Sequence, residues 1–244
     1  MRRRRSPRTA LVLVGPPPDT RTAPPEPCSR RPDRHRDGAT AMERCDPLTV
    51  LFDLFGVLAR HQSEEGKDRL ARTADAPAPA FWKAYWDLRA PYDRADVTAS
   101  EYWRGVGGAL GRDFDEERIA ALVAADVASW SAVDATMVAL VEGLAASGRR
   151  IALLSNIPEE LAVHYEAHHP WLDDFHVRAF SCRIGHAKPE PGAYRWCQEA
   201  LGVEAERILF VDDREENVRA AEALGMRGHV FTGASRLRES LARG

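Results

Sequence analysis

Residues 48–58 read Leu-Thr-Val-Leu-Phe-Asp-Leu-Phe-Gly-Val-Leu, an apolar run interrupted by one aspartate and closed around a glycine. A strand with one wet face alternates apolar and polar residues, whereas a run apolar at nearly every position suits a strand covered on both faces, as in a parallel sheet packed between helices. The stretch therefore predicts a buried parallel strand and its following turn, with Asp53 at the strand's carboxyl end. Two later runs share this character, Arg150-Ile151-Ala152-Leu153-Leu154 and Arg207-Ile208-Leu209-Phe210-Val211, and they stop at Ser155-Asn156 and Asp212-Asp213. Gly228-His229-Val230-Phe231 reads as a fourth strand.

Helical patterns separate these runs. Residues 136–147 carry Met137, Leu140, Val141 and Leu144 at spacings of three and four; 193–201 closes at Gly202 and 215–224 at Gly225. Such alternation predicts an α/β fold, a Rossmann-like doubly wound parallel sheet with right-handed crossovers and ligands at the carboxyl ends of its strands. The polar strand ends should then converge in one crevice. Residues 63–129 break the alternation, offering helical periodicity and the aromatics Phe81, Trp82, Tyr85, Trp86, Tyr102 and Trp103 but no strand-like run. They predict an inserted helical-bundle domain within a core formed by 46–62 and 130–244. The aromatics Trp82, Tyr85 and Trp86 suit a helix core or a stacking surface, with core as the default. Thr98 with Glu101 has the spacing of a capping box.

With 244 residues and 44% apolar content, the chain can bury one good core and an accessory domain. Cys28, Cys45, Cys182 and Cys197 show neither zinc-site spacing nor the density of a disulfide scaffold, so reduced thiols in a cytoplasmic protein are expected. The net charge of −3 hides an asymmetry: residues 1–45 hold 11 arginines against 5 acidic residues, and the remainder 23 basic against 32 acidic. The Arg/Pro-rich tail, 1–45, has too little apolar surface to offset its ordering entropy and is expected to be disordered. Met42 offers an alternative start, and a nucleic-acid arm is the functional alternative for the tail. The apolar run 10–15 is short for an export signal and is followed by three prolines, and no segment is long enough to span a membrane. An acidic remainder argues against nucleic acid as partner.

The polar strand ends carry the chemistry. A carboxylate such as Asp53 can attack phosphorus directly and split one difficult displacement into two easier ones, although a strand-end aspartate alone also serves as a turn or cap residue. Asp212 and Asp213 would bring two more carboxylates beside it, a crowding that a divalent cation relieves. Ser155 and Asn156 offer a hydroxyl and an amide for phosphoryl oxygens, and Lys188, close to Pro189 and Pro191, offers a fixed ammonium.

Asp53-Leu54-Phe55-Gly56-Val57, Ser155-Asn156, Lys188-Pro189-Glu190-Pro191 and Asp212-Asp213 together resemble, in order, the four motifs of the haloacid dehalogenase-like superfamily. The surrounding residues are most similar to its sugar-phosphatase-like and epoxide-hydrolase phosphatase-like branch, and the insertion 63–129 is similar in place and length to that superfamily's helical cap domain. The resemblance implies a Mg2+-dependent phosphatase acting on a small phosphorylated substrate, with Asp53 as nucleophile, Lys188 as catalytic cation, and Ser155 and Asn156 binding substrate. It also implies that Asp53, Asp213 and the backbone carbonyl of Phe55 hold the metal, with Asp212 a ligand or the partner of one. A monomer or homodimer is expected.

One position departs from that pattern. Phosphatases of this superfamily usually have a second aspartate two residues after the nucleophile, as proton donor to the leaving group; here Phe55 stands there. The loss of such a shuttle is worth about 10²–10⁴ in rate. Another group substitutes, the leaving group needs little help, or catalysis is lost. His61 and His186 are the candidate substitutes; His164, His168 and His169 fall in a surface-like segment. An aromatic at position 55 also resembles the metal-independent 2-haloacid dehalogenases, but Asp212-Asp213 would repel both an anionic nucleophile and a haloacid carboxylate. A catalytically silent binding protein is the third reading.

Overall fold

The computed structural model describes residues 48–243. The predicted tail, Met42, Cys28 and Cys45 lie outside the described residues. Five strands, β1 (Thr49–Phe52), β2 (Ile151–Ser155), β3 (Val177–Phe180), β4 (Ile208–Asp212) and β5 (Arg227–Val230), form one sheet in the order β3-β2-β1-β4-β5. Every neighbouring pair is parallel, with Leu51 opposite both Ala152 and Phe210. The predicted doubly wound parallel sheet is therefore present, and β1, β2 and β4 occupy its centre.

Successive side chains of a strand point to opposite faces, and both faces here are covered. Val50, Phe52, Ile151, Leu153, Leu209 and Val211 pack on one side with α6 (Ala135–Ala146), α7 (Glu159–His168) and α11 (Ala234–Arg243). Leu51, Ala152, Leu154, Ile208 and Phe210 pack on the other with α9 (Pro191–Leu201) and α10 (Glu215–Glu222). Full burial of each large apolar side chain stabilises by about 1.5–3 kcal/mol, which explains why these strands contain almost no polar residue before their ends.

The edge strands diverge from the sequence reading. β3 was not expected: it is only four residues long, includes Arg178, and leaves Val177 and Arg178 half-buried, so it lacks the apolar run that marks the central strands. β5 begins one residue before the predicted 228–231. Helix α6 begins at Ala135 because Asp134 caps it, its Oδ1 accepting from the N–H groups of Thr136 (2.9 Å) and Met137 (3.3 Å). Helix α9 begins at Pro191, whose fixed φ suits the first turn, and ends at Gly202 in the left-handed region, φ 63°.

Between β1 and α6 the described chain is helical: α1 (Glu64–Thr73), α2 (Ala78–Asp87), α3 (Arg89–Asp93), α4 (Ala99–Ala109) and α5 (Glu116–Trp130). These helices share an apolar cluster that includes Leu70, Phe81, Tyr85, Trp103 and Leu122, separate from the two sheet-face clusters. The capping box forms as its spacing predicts, Thr98 N–H donating to Glu101 Oε2 (2.8 Å) and Glu101 N–H to Thr98 Oγ1 (3.2 Å). A short helix, α8 (Ser181–Ile184), follows β3. Among the described residues no helix is long and apolar enough to cross a membrane.

Candidate active site

The carboxyl ends of β1, β2 and β4 meet under a cavity of about 400 Å³, as the parallel sheet requires. Its floor includes Asp53, Asn156, Lys188, Asp213, Arg214 and Asn217. Asp53 follows β1 and is buried; its N–H donates to Val211 O (2.8 Å), which ties the residue to β4. Its Oδ1 accepts from Leu54 N–H (2.6 Å) and contacts Lys188 Nζ (2.6 Å). Lys188 Nζ also donates to Asp212 Oδ2 (2.8 Å), so one buried ammonium bridges two buried carboxylates.

The remaining contacts fix these groups. Both polar atoms of the Asn156 amide are used on Lys188: Oδ1 accepts from its N–H and Nδ2 donates to its carbonyl, each at 2.8 Å. The amide that the sequence assigned to phosphoryl oxygens thus clamps the loop carrying the lysine. Asp212 Oδ1 accepts from Arg214 N–H (2.8 Å), and Asn217 Nδ2 reaches both Asp212 oxygens (3.0 and 3.1 Å). Asp213 Oδ2 pairs with His61 Nε2 (2.9 Å), while Asp213 Oδ1 is buried with no partner among the described residues. Ser155 is fully buried at the end of β2; its hydroxyl has no partner there, and the residue is not part of the cavity wall.

The turn after β1 folds back tightly, Leu54 O accepting from the N–H groups of Leu58 (2.8 Å) and Ala59 (2.7 Å). Gly56 sits at φ 90°, and a Cβ there would collide with the Asp213 carboxylate and the His61 ring. Glycine is required at this point for both reasons. Phe55 lines the cavity, its ring 4.8 Å from that of Trp130 and 5.8 Å from that of Tyr165, and its carbonyl accepts no backbone hydrogen bond among the described residues. Of the two substitute histidines, His61 reaches the cavity, whereas His186 is exposed and packs over Gly192.

Electrostatics follow from this crowding. Burial first, then the Asp212 and Asp213 charges, push the Asp53 carboxyl up to about 7 against the opposing pull of Lys188. Burial alone would lower the Lys188 ammonium, but Asp53 and Asp212 outweigh it and the group is held above its ordinary value. One oxygen from each of Asp53, Asp212 and Asp213 lies within 4.8 Å of the others. Three carboxylates against one lysine leave negative charge uncompensated, and hard oxygen donors so grouped suit a divalent cation such as magnesium. The unpartnered Asp213 Oδ1 is the donor atom left free for it.

The wall facing this floor comes from the helical segment and the residue Gln62 that leads into it, and was not legible in the sequence. Gln62, Lys67, Trp86, Arg89, Asp93 and Trp130 all line the cavity. Local periodicity marks which helical positions are apolar, not which helix end hangs over a distant strand. Asn217 carried a weak signal, since it falls in the first turn of the helix that follows Asp212-Asp213.

A family model described as haloacid dehalogenase-like hydrolase matches residues 48–225. Phosphoglycolate phosphatase 1 of Pseudomonas aeruginosa is 31% identical to this chain over 209 residues, 76% of this chain and 70% of that one. The chain spans about half the length, or less, of other curated relatives it matches. Among solved structures, the HAD family enzyme bt-2542 of Bacteroides thetaiotaomicron, in complex with magnesium and inorganic phosphate, aligns with TM-score 0.63 at 20% identity, covering 78% of this chain and 98% of that one. The L-2-haloacid dehalogenase of Xanthobacter autotrophicus, with chloropropionic acid covalently bound, aligns with TM-score 0.57 at 20% identity, covering 81% and 83%. At these identities the two structures speak to the fold.

Proposed function

The chain belongs to the haloacid dehalogenase-like hydrolases, and from that membership we propose that it is a magnesium-dependent phosphatase cleaving a small phosphate ester through an aspartyl-phosphate on Asp53. The observation that carries this reading is the gathering of the Asp53, Asp212 and Asp213 oxygens within 4.8 Å of one another, with Lys188 bridging two of them. Phosphoglycolate phosphatase 1 of Pseudomonas aeruginosa supports the substrate class, and the three grouped carboxylates support the metal.

Asp53 attacks phosphorus as the P–O bond to the leaving alkoxide breaks, the alkoxide taking its proton from solvent because Phe55 offers none; water then attacks the same phosphorus, loses a proton to solvent, and frees the carboxylate and phosphate. Oδ1 is fixed by Leu54 N–H and Lys188, which aims the carboxylate and leaves Oδ2 for attack. Asp53, Asp213 and the Phe55 carbonyl hold magnesium, while Asp212, engaged by Lys188, Arg214 and Asn217, braces the lysine. The metal supplies positive charge that keeps the nucleophile ionised and stabilises the transferring phosphoryl group. Lys188, positioned by Asn156, adds a second fixed charge on the Asp53 side. Helices α1–α5 act as the cap that roofs the cavity, and the free thiols Cys182 and Cys197 suit a cytoplasmic setting.

Phosphate release from a panel of sugar phosphates, nucleotides and acyl phosphates tests the reading. Release should require magnesium and fall at least 10³-fold in Asp53→Asn, the scale on which an essential group of this kind acts. Persistent release in that variant removes the covalent route. Phe55, aromatic as in dehalogenases, favours one rival, and chloride release from 2-chloropropionate under EDTA would select it.

A further inference from the structure

On the reading of this cavity as a phosphatase site, we propose that the leaving group is an uncharged alcohol carrying a flat or apolar ring, seated against Trp86. Among the described residues Trp86 is the one Phe, Tyr or Trp side chain that stands out as exposed, at 52%, and it lines the cavity. A large apolar ring presented to a concave site is normally covered by ligand. Phe55 and Trp130 extend the same apolar wall.

The ring is held in place. Trp86 makes edge contacts with Trp130 (centroids 6.3 Å apart, planes at 86°) and Tyr85 (4.8 Å, 84°). Tyr85 is fully buried; its hydroxyl donates to Asp126 Oδ1 (2.7 Å) and accepts from Trp130 Nε1 (3.1 Å). A platform fixed in advance loses little freedom when a planar group stacks on it.

Charge excludes the main competitor, a leaving group bearing a carboxylate or second phosphate. Both roof cations are already matched: Lys67 pairs with Glu64 (2.8 Å), and Arg89 with Asp93 (2.7 Å) and Asp126 (3.0 Å). Arg214, at the floor, pairs with Glu216. Asp93 itself lines the cavity, and Arg89 is shared between two carboxylates, so a second anion would meet repulsion there. A volume of about 400 Å³ holds roughly a dozen groups the size of water, enough for a phosphoryl group and one ring.

The test compares ethyl, phenethyl and carboxyethyl phosphate, three primary alkyl esters that differ mainly in what hangs from the leaving group. With magnesium present, kcat/KM should be about tenfold higher for phenethyl than for ethyl phosphate, largely through KM, and lowest for carboxyethyl phosphate. Trp86→Ala should cut the phenethyl-to-ethyl ratio about fivefold or more, and Trp86→Phe should keep most of it. A purely structural role would lower both esters together and leave the ratio alone. A lead for carboxyethyl phosphate, or a ratio that Trp86→Ala does not move, overturns the proposal while the phosphatase reading stands. Should none of the three be turned over, calorimetric binding of the same esters decides whether Trp86 seats a ring: a phenethyl preference lost in Trp86→Ala supports the seat, and equal binding overturns it, while the phosphatase reading is judged by the broader substrate panel.

Discussion

Asp53 concentrates the site's conflict in one side chain. In the metal-free protein its carboxyl is raised to about 7, by burial first and then by Asp212 and Asp213, against a value of 3.8 when unperturbed. Between those two values the folded state binds a proton that the unfolded state has released, so metal-free stability declines as pH rises through that window. Magnesium binding requires the ionised carboxylate and therefore competes with the proton. Calorimetric titration of magnesium at about pH 5.5, 7 and 8.5 should show apparent affinity rising by up to about tenfold per unit toward 7 and levelling above it. Affinity that is flat across this range would remove Asp53 from the ligand set. Neighbouring residues act through position. Gly56 admits the Asp213 carboxylate and His61 ring where any Cβ would collide with them, and Asn156 acts on Lys188 through backbone atoms alone.

Among the elements, α2, α3 and α5 are joined by a buried polar network whose loss should be felt beyond its own helices. Arg89 of α3 pairs with Asp93 and with Asp126 of α5, bonds the Tyr85 hydroxyl of α2, and is only 7% exposed. Burial raises the Asp93 carboxyl against the pull of Arg89, the sign of a carboxylate that depends on its cation. Removing one partner of a buried ion pair leaves an unmatched charge and costs about 3–5 kcal/mol. Urea unfolding of Arg89→Met should show a loss of that size, partly restored by adding Asp126→Asn; a loss below about 1 kcal/mol would make the network incidental. The network was not legible in the sequence, because Arg89 and Asp126 are distant in the chain and a buried arginine looks like a surface one until its neighbours are known. The central strands were legible for the opposite reason: apolar contact on both faces writes itself into consecutive residues. β3 escaped because half of its short length faces partial solvent and one position is Arg178. Trp86, read as core by its spacing from Trp82, is instead exposed and lines the cavity, while its neighbour Tyr85 is fully buried.

At the scale of the whole molecule, a parallel sheet imposes convergence on residues that the chain scatters. Asp53, Asn156 and Asp212-Asp213 come from three strand ends, Lys188 from a loop far along the chain, and the roof from helices inserted after β1. Sheet order alone brings the first group together, which is why their convergence could be expected from the sequence. The roof depends on how a helical segment packs over the sheet, so the residues that line the cavity from that side were left unread. The central claim is that Asp53 takes the phosphoryl group while magnesium is bound, and it can be examined on the residue itself. Rapid acid quench during turnover, followed by borohydride reduction and peptide mass spectrometry, converts an aspartyl-phosphate into homoserine at the position that carried it. The account predicts homoserine at position 53, only with magnesium and substrate together. Phosphate release without any such conversion, or conversion at another aspartate, would contradict it.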